Sequence, residues 1–424
     1  MKLGARVRSI ALFKQLGPGL VTGAADDDPS GIATYSQAGA QFGYGLLWTM
    51  VLTYPLMAAV QLISAHIGRV TGKGLASNMG DILWTPLVAL LVLLLFVANT
   101  INIGADLAAM GAAARLATGA ADWSDHLFTV GVALFTVTLQ LFLPYRRYAG
   151  ALKWLTLTLL AYVALLVMVK IDWTNVAKGL VWPRIAGKEV IINIVAIFGT
   201  TISPYLFFWQ SAQEVEEVDR DQSQAPLVEA PWQARRAFRR MRLDTFFGMA
   251  VSNLVALAIM IGTAATLYAS GKTSIASAAD AAKALEPVVG RFASLLFSLG
   301  IIGTGLLAIP VLAGSAAYAV GESRGWKCGL DQKPWEAVGF YSVIGLATAL
   351  GIAIDWSHVD PIRALFWSAV INGVVAVPIM AAMMVVVSRQ RAMGKFTAPP
   401  RLLFFGWAAT TVMAAAALAM LIVR

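Results

Sequence analysis

TGAADDDPSGIATYSQAGAQFGY, residues 22–44, places three consecutive carboxylates, Asp26, Asp27 and Asp28, inside an otherwise apolar stretch. If the stretch crosses a membrane, each buried charge costs a few kcal/mol or more, so such acids mark function. Asp28-Pro29 reads as a helix start, with Asp as N-cap and Pro at the first helical position. The apolar residues Leu20 to Ala25 read as a preceding half-helix. The span is therefore expected to break at mid-membrane with the acids at the break, which is tolerated only around a cavity or buried site. The blander reading puts Asp26 and Asp27 in an aqueous vestibule and leaves Asp28 as a cap alone.

The rest of the chain supports a membrane setting. Of its 424 residues 58% are hydrophobic and 13% charged, far from a typical soluble composition, and the mean hydropathy is +0.72. Eleven candidate spans follow, at about 15–40, 45–66, 83–113, 127–145, 150–170, 188–212, 243–268, 290–319, 336–354, 363–388 and 401–423. The first holds an intact acidic cluster and no small-residue cleavage site, and so is expected to be a span rather than a signal peptide.

Basic residues set the expected orientation. With the N-terminus cytoplasmic, 22 of the 32 Lys and Arg fall on the cytoplasmic side, including the run Arg235, Arg236, Arg239, Arg240 and Arg242. The odd span count then puts Arg424 outside. The net charge of +9 is thus topological, and no nucleic-acid partner is expected. Cys328 is the only cysteine, which excludes intrachain disulfides and a thiolate metal cluster.

In chain order, residues 37–44 close span one with small residues suited to tight helix packing. Span two ends at His66, which could relay protons or simply be hydrogen-bonded at a helix end. Span three carries Asn99, Asn102 and Asp106; Asn99 and Asp106 are seven apart and share a face expected to look into the bundle. The connection at 145–148 reads as interfacial. Span six repeats the logic of span one: Gly199-Thr200-Thr201-Ile202-Ser203-Pro204 again sets a capping residue before a proline. Two breaks five spans apart fit an inverted repeat whose broken helices meet at the midplane around a cation; a chance Ser-Pro kink is the alternative. Residues 213–242, acidic then basic, read as a long solvated cytoplasmic connection with an amphipathic stretch. Trp356, His358 and Asp360 read as external surface. Asn372 in span ten could line a site or bond between helices.

DPSGIAT followed by QAGAQFGY resembles the NRAMP family of divalent-metal transporters, which typically has DPGN-x-AT before the same QAGAQFGY. VTGK at 70–73, Asp244 with Asn253, and LAG at 312–314 are weaker supports. The resemblance runs over nearly the whole chain. It implies an all-α polytopic membrane protein with a LeuT-like fold: two inverted repeats of five spans (15–172 and 188–388), helices one and six broken, plus an eleventh helix at 401–423, in one transmembrane domain.

The departures from the family pattern matter as much. Asp28 is kept, but Gly31 stands where the family has its asparagine ligand. In span six the family typically has A-x-x-M-P-H; here Thr200, Ser203 and Tyr205 take the Ala, Met and His positions, and Gln210 that of a further histidine. Asn99 and Ala109 stand where acids are usual, and Asp106 matches an aspartate. Loss of the thioether removes a soft contact and favours hard cations held by carboxylate, carbonyl and water. Mg²⁺ keeps several waters, and Gly31 suggests a roomier site for a partly hydrated ion. This looks like the NRAMP-related magnesium-transporting branch.

The expectation is a non-enzymatic secondary transporter of divalent cations, Mg²⁺ and Mn²⁺, by alternating access, in the cell membrane and with a monomeric transport unit. The expected metal residues are Asp28, Gly31, Thr200, Ser203, Asp26, Asp27 and Asn372, with Asp106 and His66 as the candidate proton path. No cofactor is expected beyond the transported ion. Proton coupling is expected to be weak or absent, because titratable positions are replaced; the alternative is the usual proton-coupled Mn²⁺/Fe²⁺ transport. An intramembrane Mg²⁺-dependent prenyltransferase would need a second acidic motif and phosphate-facing bases, and neither is visible. A permease for organic anions conflicts with three acids at the break, although a polyamine would not.

Overall fold

The structure is a computed structural model, describing residues 22–23, 25–121, 124–143, 158–185, 187–275, 277–356 and 359–423. The basic N-terminus, the 145–148 connection, His358 and Arg424 lie outside the described residues, as do parts of spans one and five. The described residues are helical, with no strand. Nine of the described helices are long and apolar enough to cross a membrane, matching spans two to four and six to eleven.

We number the principal helices α1 Pro29–Phe42, α2 Trp48–Thr71, α3 Thr85–Thr118, α4 Asp125–Phe142, α5 Leu160–Met168, α6 Lys188–Thr201, α7 Pro204–Arg220, α8 Ala234–Thr263, α9 Ala293–Arg324, α10 Val338–Asp355, α11 Pro361–Ser388 and α12 Pro400–Ile422. Helix α1 begins as its sequence dictates. Asp28 is extended (φ −74°, ψ 169°), its side chain accepts from the Gly31 amide, and Pro29 fills the first turn. Helices α2, α3 and α9 stop at Gly72, Gly119 and Gly325, whose positive φ a Cβ would disfavour.

Both breaks are present, each slightly C-terminal to its expected place. Ala25 and Asp26 are still helical and only Asp27 and Asp28 are not; Thr200 and Thr201 are helical, and the chain leaves the helix at Ile202 and Ser203. The two broken helices pack on each other, with α1 against α6, α8 and α11. Helix α3 forms the opposite wall, packed between α9, α10, α11 and α4. Close approach depends on glycine: a Cβ on Gly23 would lie 2.5 Å from the Gly248 carbonyl of α8.

The 213–242 reading is corrected. Its acidic half continues α7 to Arg220 and its basic half opens α8 at Ala234, leaving a short connection. One arginine pairs the two halves while Arg235, Arg236, Arg239 and Arg242 stay exposed: Arg240 bridges Glu214 at 2.6 Å and also Glu217, and Arg69 of α2 donates to the Ala225 carbonyl at 2.6 Å and to Gln233 at 2.9 Å. Opposite charges 23 and 26 residues apart, at the end of α7 and the start of α8, find each other, which a one-dimensional charge pattern does not reveal.

Candidate functional site

The Asp28 carboxylate is 1% exposed and lies at the start of α1. Its Oδ1 accepts from the Gly31 amide at 2.7 Å and the Ser30 hydroxyl at 2.6 Å. Its Oδ2 accepts from the Asn102 amide of α3 at 3.2 Å. Asp28 is thus a cap in geometry, with one oxygen turned across the bundle to α3. Asp26 and Asp27 share one donor: Ser252 Oγ of α8 lies 2.6 Å from Asp26 Oδ2 and 3.0 Å from Asp27 Oδ1. One hydroxyl proton cannot serve both contacts at once.

The second break faces the first. A Cβ built on Gly31 would sit 3.1 Å from Thr200 Oγ1 and 3.5 Å from Asp28 Oδ1, so Asp28, Gly31 and Thr200 converge. Tyr205 donates to the Ala25 carbonyl at 3.3 Å, and Thr22 to Gln210 at 2.5 Å, stitching the two broken helices together. Ser203 differs from expectation. Its hydroxyl turns back to the Gly199 and Thr200 carbonyls at 2.8 and 2.9 Å, capping the C-terminal end of α6 instead of the start of α7. Those two carbonyls otherwise have no partner at a helix end, which explains the direction.

Asn372 and Asp106 are 1% and 0% exposed. Neither amide atom of Asn372 nor either carboxylate oxygen of Asp106 has a hydrogen-bond partner among the described residues, and Thr200 Oγ1 lies beside the Tyr35 hydroxyl. Asp106 lies within electrostatic reach of Asp28. His66 does not join this group. Its Nε2 is 2.6 Å from the Phe396 carbonyl and its ring stacks on Phe238 with centroids 4.7 Å apart. Among the described residues no three His, Cys, Asp or Glu side chains converge as a metal cage. Of the groups bonded to Asp28, Ser30 presents an oxygen and Gly31 and Asn102 present amide nitrogens, while Thr200 Oγ1 across Gly31 adds a neutral oxygen, a ligand type that suits hard cations. A cavity of about 370 Å³ at the far end of α3 is lined by Ala109, Arg115, Asp125, Ser277 and Asp360, one turn beyond Asp106.

Sequence reasoning left Ser252 and Tyr205 out of the site, and placed Asn102 on span three without a role. Asn102 stands three residues after Asn99 and four before Asp106, so the polar stripe already ran through it. Asn99 instead donates to the Leu312 carbonyl and Ser315 of α9, at 2.9 and 2.8 Å. Ser252 carried no signal, because a lone serine in an apolar helix has many uses.

Comparison with known proteins places the family and the fold. The family model described as "Natural resistance-associated macrophage protein-like" matches residues 19–423. A divalent metal cation transporter MntH of Acidiphilium cryptum is 29% identical over 392 residues, covering 89% of this chain and 83% of its own. The MntH of Klebsiella pneumoniae is 29% identical over 299 residues, covering 69% and 68%. A manganese transporter of Eremococcus coleocola superposes with a TM-score of 0.72 at 18% identity, over 96% of this chain and 85% of that one. Mhp1, a nucleobase-cation-symport-1 transporter, superposes at 0.54 with 13% identity, over 96% and 92%. The shared fold is all-helical, LeuT-like and multi-pass. With a matching model that spans residues 19–423, the chain belongs to the Nramp family.

Proposed function

We propose that this protein moves divalent cations, Mg²⁺ and Mn²⁺, across the cell membrane by alternating access, with little or no proton coupling, as a transporter and not an enzyme. The observation that carries this is Asp28: a buried carboxylate at a helix break, facing Thr200 of the second break across the side-chain-free Gly31. Relatives named divalent metal cation transporters support the cation class. Asp28 is the charged ligand. Thr200 supplies a hydroxyl oxygen, and Asn372 an amide that has no partner among the described residues. Asp26 and Asp27 supply field: a nearby cation offsets the contact that the single Ser252 proton leaves unsatisfied. Ser203 contributes through the backbone it holds. The N-terminus is cytoplasmic and the C-terminus external, the transport unit is one chain, and no resident cofactor takes part.

A second reading, proton-coupled Mn²⁺/Fe²⁺ transport, has the unpartnered Asp106 carboxylate in its favour. His66 lies apart from Asp106, with Nε2 against the Phe396 carbonyl and its ring on Phe238. The deciding measurement is Mn²⁺ uptake by the unmutated protein in proteoliposomes, with and without a large excess of Mg²⁺. Strong competition is expected. Uptake indifferent to Mg²⁺ would return the chain to manganese and iron chemistry.

A further inference from the structure

Two packed helices carry buried polar side chains at one-turn spacing: Asn102 and Asp106 on α3, Ser368 and Asn372 on α11. Asn102 is the one that touches Asp28, and it presents its donor: Nδ2 lies 3.2 Å from Asp28 Oδ2. Its other amide atom, Oδ1, is 2.7 Å from Ser368 Oγ, and the same hydroxyl is 2.8 Å from the Leu365 carbonyl. Ser368 therefore has two acceptors within reach and one hydrogen to give.

We propose that Asn102 is a reversible ligand of the transported cation, with Ser368 as the pivot on which its amide turns. Without a cation, Ser368 donates to Asn102 Oδ1, and the amide N–H faces Asp28. When a cation sits against Asp28, the N–H is on the wrong side of it. A half-turn of the amide brings Oδ1 to the cation or its hydration water, and Nδ2 to Ser368. The Ser368 hydrogen then goes to the Leu365 carbonyl, and its oxygen accepts from Asn102. Asn102 and Ser368 each have a partner in both arrangements, so the turn costs little. The turned state sets a carbonyl oxygen against a carboxylate, which is tenable only with positive charge between them. The cation thus selects it, as a ligand must that binds one state better than the other.

This inference rests on the cation-transport reading, and its test separates the two. Mn²⁺ and Mg²⁺ binding to the purified full chain is measured by titration calorimetry, beside the thermal shift each cation induces. Asn102→Leu should weaken binding on the order of tenfold, as should Ser368→Ala, whose turned amide has no acceptor. Asn102→Asp, which keeps an oxygen, should bind within about threefold of the unmutated chain or tighter, well inside the tenfold expected for losing that oxygen. If Asn102 only donated to Asp28, Asn102→Leu would free that carboxylate, and binding would be unchanged or tighter; that result overturns the inference. Should Asn102→Leu fail to fold, unchanged binding in Ser368→Ala overturns it equally. A complete absence of divalent-cation binding in the unmutated chain would sink the transport reading and this inference together.

Discussion

At the scale of single residues, Asp28 carries two roles in one carboxylate. Oδ1 caps α1 through the Gly31 amide, and Oδ2 looks across to α3. Asparagine caps nearly as well as aspartate but carries no charge. Asp28→Asn should therefore leave the melting temperature within about 2 °C of the unmutated value while divalent-cation uptake collapses. Near-normal uptake would reduce Asp28 to a cap. Gly31 and Thr200 form the second residue-scale case. The expectation of a roomier site from Gly31 alone is incomplete, because Thr200, larger than the alanine usual in the family, occupies part of the room. A Cβ at 31 would press on Thr200 Oγ1 at 3.1 Å and on the Tyr35 ring at 3.3 Å. Gly31→Asn should lose most uptake, and adding Thr200→Ala should recover at least half of it. A double variant no better than the single one would show that the two positions do not exchange volume.

At the scale of elements, the broken helices need their ends satisfied, and the two breaks solve this differently. The first uses Asp28 to cap forward; the second uses Ser203 to cap backward onto Gly199 and Thr200. Both begin again at proline, which has no amide hydrogen to lose. Where α7 ends and α8 begins, Arg240 holds Glu214, a carboxylate only 1% exposed at its side chain. Removing one partner of such a pair leaves an uncompensated charge at a cost of about 3 kcal/mol. Arg240→Gln should lower the melting temperature of the purified protein by several degrees, and adding Glu214→Gln should restore most of the loss. If Glu214→Gln brings no recovery, the pair is not what holds α7 to α8.

At the scale of the whole molecule, the question is what moves with the cation. Asn99 bonds to α9, and His66 lies against the Phe396 carbonyl and the Phe238 ring. Asp106 is buried, close to Asp28 and has neither carboxylate oxygen partnered among the described residues. Mn²⁺ entry into liposomes should proceed with little acidification of the lumen. Robust acidification driven by Mn²⁺ and abolished by Asp106→Asn would make Asp106 a proton carrier. The polar seam continues past Asp106 to the cavity at the end of α3, where Ala109 stands. An acid there would have extended the chain of titratable groups to that cavity.

The amino-acid sequence by itself determined the membrane setting, the helical class and both breaks, since hydropathy, buried carboxylates and Asp-Pro and Ser-Pro junctions are local properties of the chain. It also picked out Asp28, Gly31 and Thr200, which the tertiary structure brings together. What it could not reach depends on contacts between residues far apart in the chain. Asn102 meets Ser368, Ser252 meets Asp26 and Asp27, and Tyr205 reaches Ala25, across separations of 180 to 266 residues for Tyr205 to Ala25, Ser252 to Asp27 and Asp26, and Ser368 to Asn102. A polar side chain on an apolar helix tells only that a partner must exist. Which partner, and therefore which way an amide or hydroxyl points, is decided by the rotation of one helix against another, and that belongs to the packed bundle alone.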